Sequence, residues 1–415
     1  MNNSINVLRI LSRVEQLAHC SEQADGMTRV YLSSEHRMAN ERVLEWMNEA
    51  GMTCHVDAVG NVVGRYEGLS PGLPSLVLGS HLDTVRDGGR YDGILGVLAA
   101  IECVDVLNAQ SQRLGFAITV IGFADEEGVR FQSTYLGSRA VAGVFDAELL
   151  QLKDAQGMGL GEAMREFGLN PEKIHEAAMD RQAVLAYMEL HIEQGPVLER
   201  ELLPVGVVTG INGAARYAVT FKGEAGHAGT VPMVGRRDAL AAAAEAIVWI
   251  ENLALNTPDL TATVGAIRAL PGALNVIAGQ VEFSMDVRSA HDAIREKAQK
   301  AIEQELNNLC DRRHLSCHIT LLQSTKATAC AGWLQAQVAS AISVEGHKVR
   351  YLPSGAGHDA VMMNQLTDVG MIFIPCLRGI SHNPRESVTS HDVQVGCEVL
   401  LRFISQFKAL GENHD

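Results

Sequence analysis

The chain has 415 residues, 47% hydrophobic and 20% charged, with a formal net charge of −15. This length predicts two domains around a sizeable core, and the acidic balance argues against nucleic acid and anionic membranes as partners, since both attract basic surfaces. Eight cysteines, at 20, 54, 103, 310, 317, 330, 376 and 397, form no Cys-x-x-Cys pair, which argues against a thiolate zinc site or redox pair and predicts reduced thiols in a cytoplasmic protein.

The N-terminal stretch MNNSINVLRILSRVEQL has no basic region ahead of an apolar one, and no run of 18 apolar residues occurs, so neither a secretory leader nor a membrane span is expected. The first 60 residues read as helical. Over 35–50, Met38, Val43, Leu44, Trp46 and Met47 share one side and Gly51 closes the helix. Strands and helices then alternate: a short apolar strand at 76–78, a helix over 94–107, a nearly all-apolar strand over 116–124 and another over 186–192. Apolar strands separated by helices predict an α/β fold with a mainly parallel sheet covered on both faces. Polar residues follow the carboxyl ends of these strands, where sites form in such sheets.

A second rhythm starts near residue 210. Strands over 217–223, 261–268, 281–288 and 317–323 and helices over 237–252 and 292–311 give the order β-α-β-β-α-β, the split βαβ or ferredoxin-like arrangement. Residues 211–326 are therefore expected to form an inserted domain within a discontinuous catalytic domain of 1–210 and 327–415.

Three features carry chemistry. His81-x-Asp83, followed by Asp92-Gly93, offers an imidazole, a carboxylate to orient it and a second carboxylate. Asp125-Glu126-Glu127 follows a strand buried on both faces, where unpaired acids are costly; one acid could bind a metal while its neighbour stays free as a base, and Asp125 reads as structural. Four histidines, His191, His227, His358 and His382, sit in glycine-punctuated loops. Together these residues suggest two imidazole-rich metal sites sharing a carboxylate, an arrangement that polarises a carbonyl and acidifies a water. No nucleophile elbow with a matching triad and no phosphate-binding loop occurs, so metal-activated hydrolysis is the expected chemistry.

The segments GSHLDTVRDGGRYDGILGVLAAIE, DEEGVRFQSTYLGSRAVAG, ELHIEQGPVLE, GHAGTVPM, SGAGHDA and ISHNP resemble, in order, the amidohydrolase branch of the M20 metallopeptidase superfamily, which holds allantoate amidohydrolases, N-carbamoyl-L-amino-acid hydrolases and β-ureidopropionases. The resemblance implies two divalent metal ions, manganese or zinc first and cobalt or nickel as alternatives. His81, Asp92 and His191 would hold one, and Asp92, Glu127 and His382 the other. It makes Glu126 the general base and Asp83 the acid behind His81. Typical M20 peptidases carry an acid where this chain has His191, which favours carbamoyl cleavage over peptide cleavage.

The resemblance further gives His227 as an oxyanion donor reaching a neighbouring subunit's site, Arg288 and Asn275 as holders of a substrate carboxylate, and Gln194 and Gly357 as contacts to the ureido end. Arg216 falls where allantoate enzymes carry a basic residue, although Gly213-Ala214-Ala215 precedes it here in place of their usual Gly-Gln. The inserted domain is implied to be a lid and dimerisation domain, making a homodimer. The implied substrate is a small ureido carboxylate: allantoate first, an N-carbamoyl-L-amino acid next. A peptidase and a non-catalytic ureido-acid binder are the rival readings.

Overall fold

The computed structural model describes residues 4–23 and 26–410. The chain forms two compact units, one of Met1–Thr209 with Cys330–Asp415 and one of Gly210–Ala329.

In the first unit the helices Val7–Ala18 and Ser34–Glu49 come first. Ser33 caps the second by accepting the His36 N–H, and Gly51, at φ +81°, ends it in the left-handed region that glycine tolerates. The expectation of helix through residue 60 fails beyond that point. Thr53–Val56 is a strand paired antiparallel with Val62–Tyr66. The turn between them is built by Asp57, whose carboxylate accepts the Val59 and Asn61 N–H groups, so the aspartate side chain sets a hairpin that helical spacing could not register.

The sheet runs in the order Thr53–Val56, Val62–Tyr66, Ala117–Phe123, Ser75–His81, Val184–Ile192, Val369–Ile374, Gly206–Ile211. The middle four strands are parallel and their flanking neighbours antiparallel, so the sheet is mixed with a parallel centre. Ser75–His81, Ala117–Phe123 and Val369–Ile374 are buried along their whole length. The helix Ile94–Ala109, apolar on nearly every side, packs on this centre and against the helices Val7–Ala18 and Ser390–Gln406, as an all-round apolar helix must. Parallel register aligns the strand ends: His81 stands beside Phe123, and His191 beside Phe373. The acids and histidines that follow emerge along one edge.

In the second unit the strands Ile267–Leu270, Gln280–Ser289, Gly213–Lys222 and Ser316–Thr325 form an antiparallel sheet in that order, and Leu260–Thr263 also pairs with Gln280–Ser289. The single strand expected over 261–268 is thus two. At the break the Ala266 N–H donates to the Ser284 hydroxyl at 3.0 Å, while the Ala266 carbonyl accepts the Ser284 backbone N–H at 3.0 Å. Val281, Phe283, Met285 and Val287 alternate into a core with Ala242, Ala246, Ile302 and Leu306 of the helices Ala239–Leu255 and Asp292–Arg313, while Asp286 and Arg288 take the opposite face by the two-residue period. Among the described residues no helix is long and apolar enough to cross a membrane.

Candidate metal centre and active site

His81 is the last residue of Ser75–His81, and its ring lies against Gly93. Gly93 has φ +72°, and a Cβ there would stand 2.4 Å from the His81 ring, so this position requires glycine on both counts. The Asp83 carbonyl lies 3.0 Å from His81 Nδ1, which puts a proton on Nδ1 and turns Nε2 toward Asp92 Oδ1, 3.5 Å away. His191 repeats the device: Nδ1 donates to the Ile192 carbonyl at 2.9 Å, and Nε2 is 3.2 Å from Asp92 Oδ1. Backbone carbonyls thereby fix both rings, as the outer partners of metal-binding imidazoles do. His382, held at φ +53°, brings Nε2 to 3.1 Å from Asp92 Oδ2 and 3.3 Å from Glu127 Oε1.

Asp92 therefore divides its oxygens, one toward His81 and His191 and the other toward His382. Candidate ligand atoms lie within 4.8 Å of one another in the groups His81–Asp92–His191, Asp92–Glu127–His382 and His81–Glu126–Glu127. With Nδ1 protonated, a neutral His81 would aim its Nε2 lone pair at Asp92, a repulsion that a cation between them relieves, while His191 Nε2 lies within reach of both the Gly93 N–H at 3.2 Å and Asp92 Oδ1. The electrostatics agree. Burial pushes His81 and His191 toward neutrality, but hydrogen bonds to Asp83 and Asp92 for His81, and to Asp92 for His191, outweigh it and hold both pKa values above the usual range. Bonds to Asp92 and Glu127 take His382 up to about 10. Burial would raise Asp92, yet the three imidazoles keep it well below the usual carboxylate range. A nitrogen and oxygen donor set that demands positive charge fits divalent cations, which replace those protons on binding.

Asp83 does more than orient His81. Its two carboxylate oxygens accept the N–H groups of Glu126 at 2.9 Å and Glu127 at 3.1 Å, so one buried acid aims both of the next. Burial first, and then the charge of Glu127, pushes the Glu126 carboxyl well above the usual range, which favours uptake of a proton by this group. Gly357 packs against this acid: a Cβ there would be 2.1 Å from Tyr135 Oη and 3.5 Å from Glu126 Oε1. Gln194 donates from Nε2 to Asp92 Oδ2 at 3.0 Å and to Ser381 Oγ at 3.1 Å.

His358 stands behind the ligands, with its ring centroid 4.5 Å from that of His191 and its Nε2 2.7 Å from Ser354 Oγ. Burial holds its pKa well below the usual histidine range. Three residues of this region escaped the sequence reading. Tyr135, Ser381 and Glu386 carry no spacing signal; only their adjacency to GSRA and to His382 in ISHNPRE hinted at them.

In the second unit His227 and Val276 pair in a two-stranded ribbon. His227 Nδ1 accepts the Gly229 N–H at 3.1 Å, and the Asn275 carbonyl accepts the Ala228 N–H at 2.9 Å, which sets His227 and Asn275 side by side on an exposed surface. Arg216 and Arg288 share Asp286, at 3.1 Å and 2.9 Å, and Arg216 also donates to Gln323 at 2.9 Å. Gln280 lies opposite Lys222, whereas Arg288 lies opposite Ala214 at the far end of the strand. Eight residues at about 3.4 Å each separate the two ends by roughly 27 Å.

The profile of peptidase family M20/M25/M40 matches residues 77–406. An N-carbamoyl-L-amino acid amidohydrolase of Geobacillus stearothermophilus is 40% identical over 405 residues, covering 97% of this chain and 99% of that protein. Allantoate deiminase 1 of Glycine max is 38% identical over 425 residues, covering 95% of this chain and 88% of that one. Among solved structures, an amidase of the hydantoinase/carbamoylase family from Burkholderia multivorans superposes with a TM-score of 0.92 at 33% identity over 97% of both chains. With the profile spanning most of the sequence and full-length relatives aligned end to end, the chain belongs to the M20/M25/M40 peptidase family and is a hydrolase.

Proposed function

We propose that this enzyme hydrolyses the ureido group of a small carboxylate, with allantoate as first substrate and an N-carbamoyl-L-amino acid as the alternative. The observation that carries the reading is His191, a histidine with Nε2 3.2 Å from the shared Asp92, where peptidases of the superfamily carry an acid. The names of the relatives in both substrate classes support the chemistry and leave the choice between the two substrates to experiment.

On this reading His81, Asp92 and His191 hold one divalent ion, and Asp92, Glu127 and His382 a second. Bound there, such ions supply polarisation of the ureido carbonyl and a water acidified toward neutrality. The chain's own residues do the rest. Glu126 removes a proton from the attacking water as the C–O bond forms and returns it to the leaving nitrogen as the C–N bond breaks, releasing ammonia and a carbamate that yields carbon dioxide. Asp83 keeps Glu126 and Glu127 aimed through their N–H groups. Gln194 and the Gly357 loop contact the ureido end.

The unit Gly210–Ala329 acts as a ferredoxin-like lid and dimerisation domain. His227 steadies the developing oxyanion, Asn275 and Arg288 hold the substrate carboxylate, and Arg216 reads the substrate's second polar end. On this reading the enzyme is a homodimer, with His227 reaching the neighbouring subunit's site. Every cysteine is an unpaired thiol, which fits a reducing, cytoplasmic setting.

The test is ammonia release by manganese-loaded protein on allantoate, N-carbamoyl-L-amino acids, N-carbamoyl-β-alanine and a dipeptide. Preference for allantoate or for an N-carbamoyl-L-amino acid decides between the two substrates. Faster turnover of the dipeptide overturns the reading, and inertness on all four with metal bound favours a ureido-acid binder.

A further inference from the structure

We infer that Glu386 is a positioning residue that locks the bridging carboxylate Asp92 and couples the loops supplying Asp92 and His382. This rests on the metal-site reading above and goes beyond it, since Glu386 belongs to neither ligand set.

The geometry is a closed ring of hydrogen bonds. Glu386 is only 4% exposed. Its Oε1 accepts the backbone N–H groups of Tyr91 at 2.8 Å and Asp92 at 3.2 Å. Its Oε2 accepts the Ser381 hydroxyl at 2.7 Å. That hydroxyl has one proton, so with Glu386 as its acceptor Ser381 Oγ is left to receive from Gln194 Nε2 at 3.1 Å. The second hydrogen of the same amide goes to Asp92 Oδ2 at 3.0 Å. The ring thus runs from Gln194 through Ser381 and Glu386 to the Asp92 backbone, and closes on the Asp92 side chain. The Ser381 hydroxyl also lies 3.3 Å from Asp92 Oδ2, so Glu386 Oε2 at 2.7 Å is the nearer of two acceptors, and Glu386 serves as acceptor to all three donors.

The ring determines which Asp92 oxygen faces which imidazole. With Oδ2 tied to Gln194, Oδ1 is left to His81 and His191, and His382 approaches from the Oδ2 side. It also joins residues nearly 300 positions apart, since Ser381 is the immediate neighbour of His382 and Tyr91 of Asp92. The fit is tight: a Cβ on Gly89 would come within 2.0 Å of the Glu386 carboxyl, so the loop before Asp92 is shaped around this side chain.

The experiment is calorimetric titration of metal-free protein with Mn²⁺ for the unsubstituted enzyme, Glu386→Gln and Gly89→Ala. The first variant turns one acceptor oxygen into a donor without changing size, and the second crowds the carboxylate out of place while leaving its chemistry intact. The unsubstituted protein is expected to bind two ions. In both variants the ion held by Asp92, Glu127 and His382 should bind about 10- to 100-fold more weakly, the usual effect of losing an outer-shell partner, with the other site nearly unchanged. At limiting Mn²⁺ kcat should fall while KM holds, and excess Mn²⁺ should restore kcat. Two sites of unaltered affinity in both variants would overturn the coupling while leaving the metal reading intact. Equal weakening of both sites together with early thermal unfolding of the metal-free variants would reduce Glu386 to a scaffold residue and also overturn it. Failure of the unsubstituted protein to bind any Mn²⁺ would remove the metal reading and this inference with it.

Discussion

Replacing Glu126 by glutamine separates a base from a ligand. The side chain is 7% exposed and glutamine matches it in volume, so no cavity term arises. Burial and the adjacent Glu127 charge already oppose ionisation of this carboxyl, so the neutral amide should fold at least as stably in metal-free protein. The backbone N–H groups of residues 126 and 127 keep their acceptor, Asp83, which leaves Glu127 aimed at His382. What is lost is proton transfer. A positioned general base contributes about 10²- to 10⁴-fold, or roughly 3–5 kcal/mol at about 1.4 kcal/mol per decade. The assay pairs ammonia release on the preferred ureido acid with metal content by atomic emission. Glu126→Gln should retain both ions and lose activity by that factor, whereas Glu127→Gln should lose an ion. A Glu126→Gln enzyme within tenfold of the original rate would refute the base assignment, and one that loses metal would make Glu126 a ligand.

Gly93→Ala should abolish metal retention and destabilise the fold by about 1–3 kcal/mol, because φ is +72° and the new methyl meets the His81 ring at 2.4 Å; metal analysis and denaturant unfolding check both parts. If His227 serves a neighbouring subunit, mixing Glu126→Ala with His227→Ala subunits should restore part of the activity, and a mixture as inactive as its parents would remove the shared site. Buried His36 accepts the Leu32 N–H at 3.1 Å through Nδ1, and burial lowers its pKa from 6.5 to about 4. The unfolded chain therefore binds a proton below pH 6.5 that the folded one refuses. This contribution, of order 3 kcal/mol, is complete above pH 6.5 and is lost as pH falls toward 4. His36→Gln should flatten denaturant-measured stability across that window, and an unchanged slope would exclude His36 as a source of acid sensitivity.

Much of the first unit was readable from apolar periodicity. The strands 116–124 and 186–192 and the helix 94–107 matched Ala117–Phe123, Val184–Ile192 and Ile94–Ala109, because burial on all sides leaves a continuous apolar run in the chain. The hairpin Thr53–Val56 with Val62–Tyr66 was not readable, because its turn depends on one Asp57 side chain choosing backbone N–H partners rather than solvent. The same limit explains the antiparallel flanks of the sheet, since a short strand's direction is decided by the neighbour it finds.

For the site, the sequence by itself offered the chemical types, acids and imidazoles in glycine-punctuated segments, and the resemblance to the M20 amidohydrolase branch singled out His81, Asp92, Glu126, Glu127, His191 and His382 among them. Only the tertiary structure decided how they act together. Asp92 divides its oxygens between the nearby His81 and two imidazoles from distant segments, His191 and His382, and Asp83 accepts N–H groups from residues more than forty positions away. Glu386 closes a ring between segments nearly 300 positions apart. Sequence fixes which groups can donate, accept or carry charge, but hydrogen-bond direction and charge pairing depend on distances that only the packed sheet and its loops set.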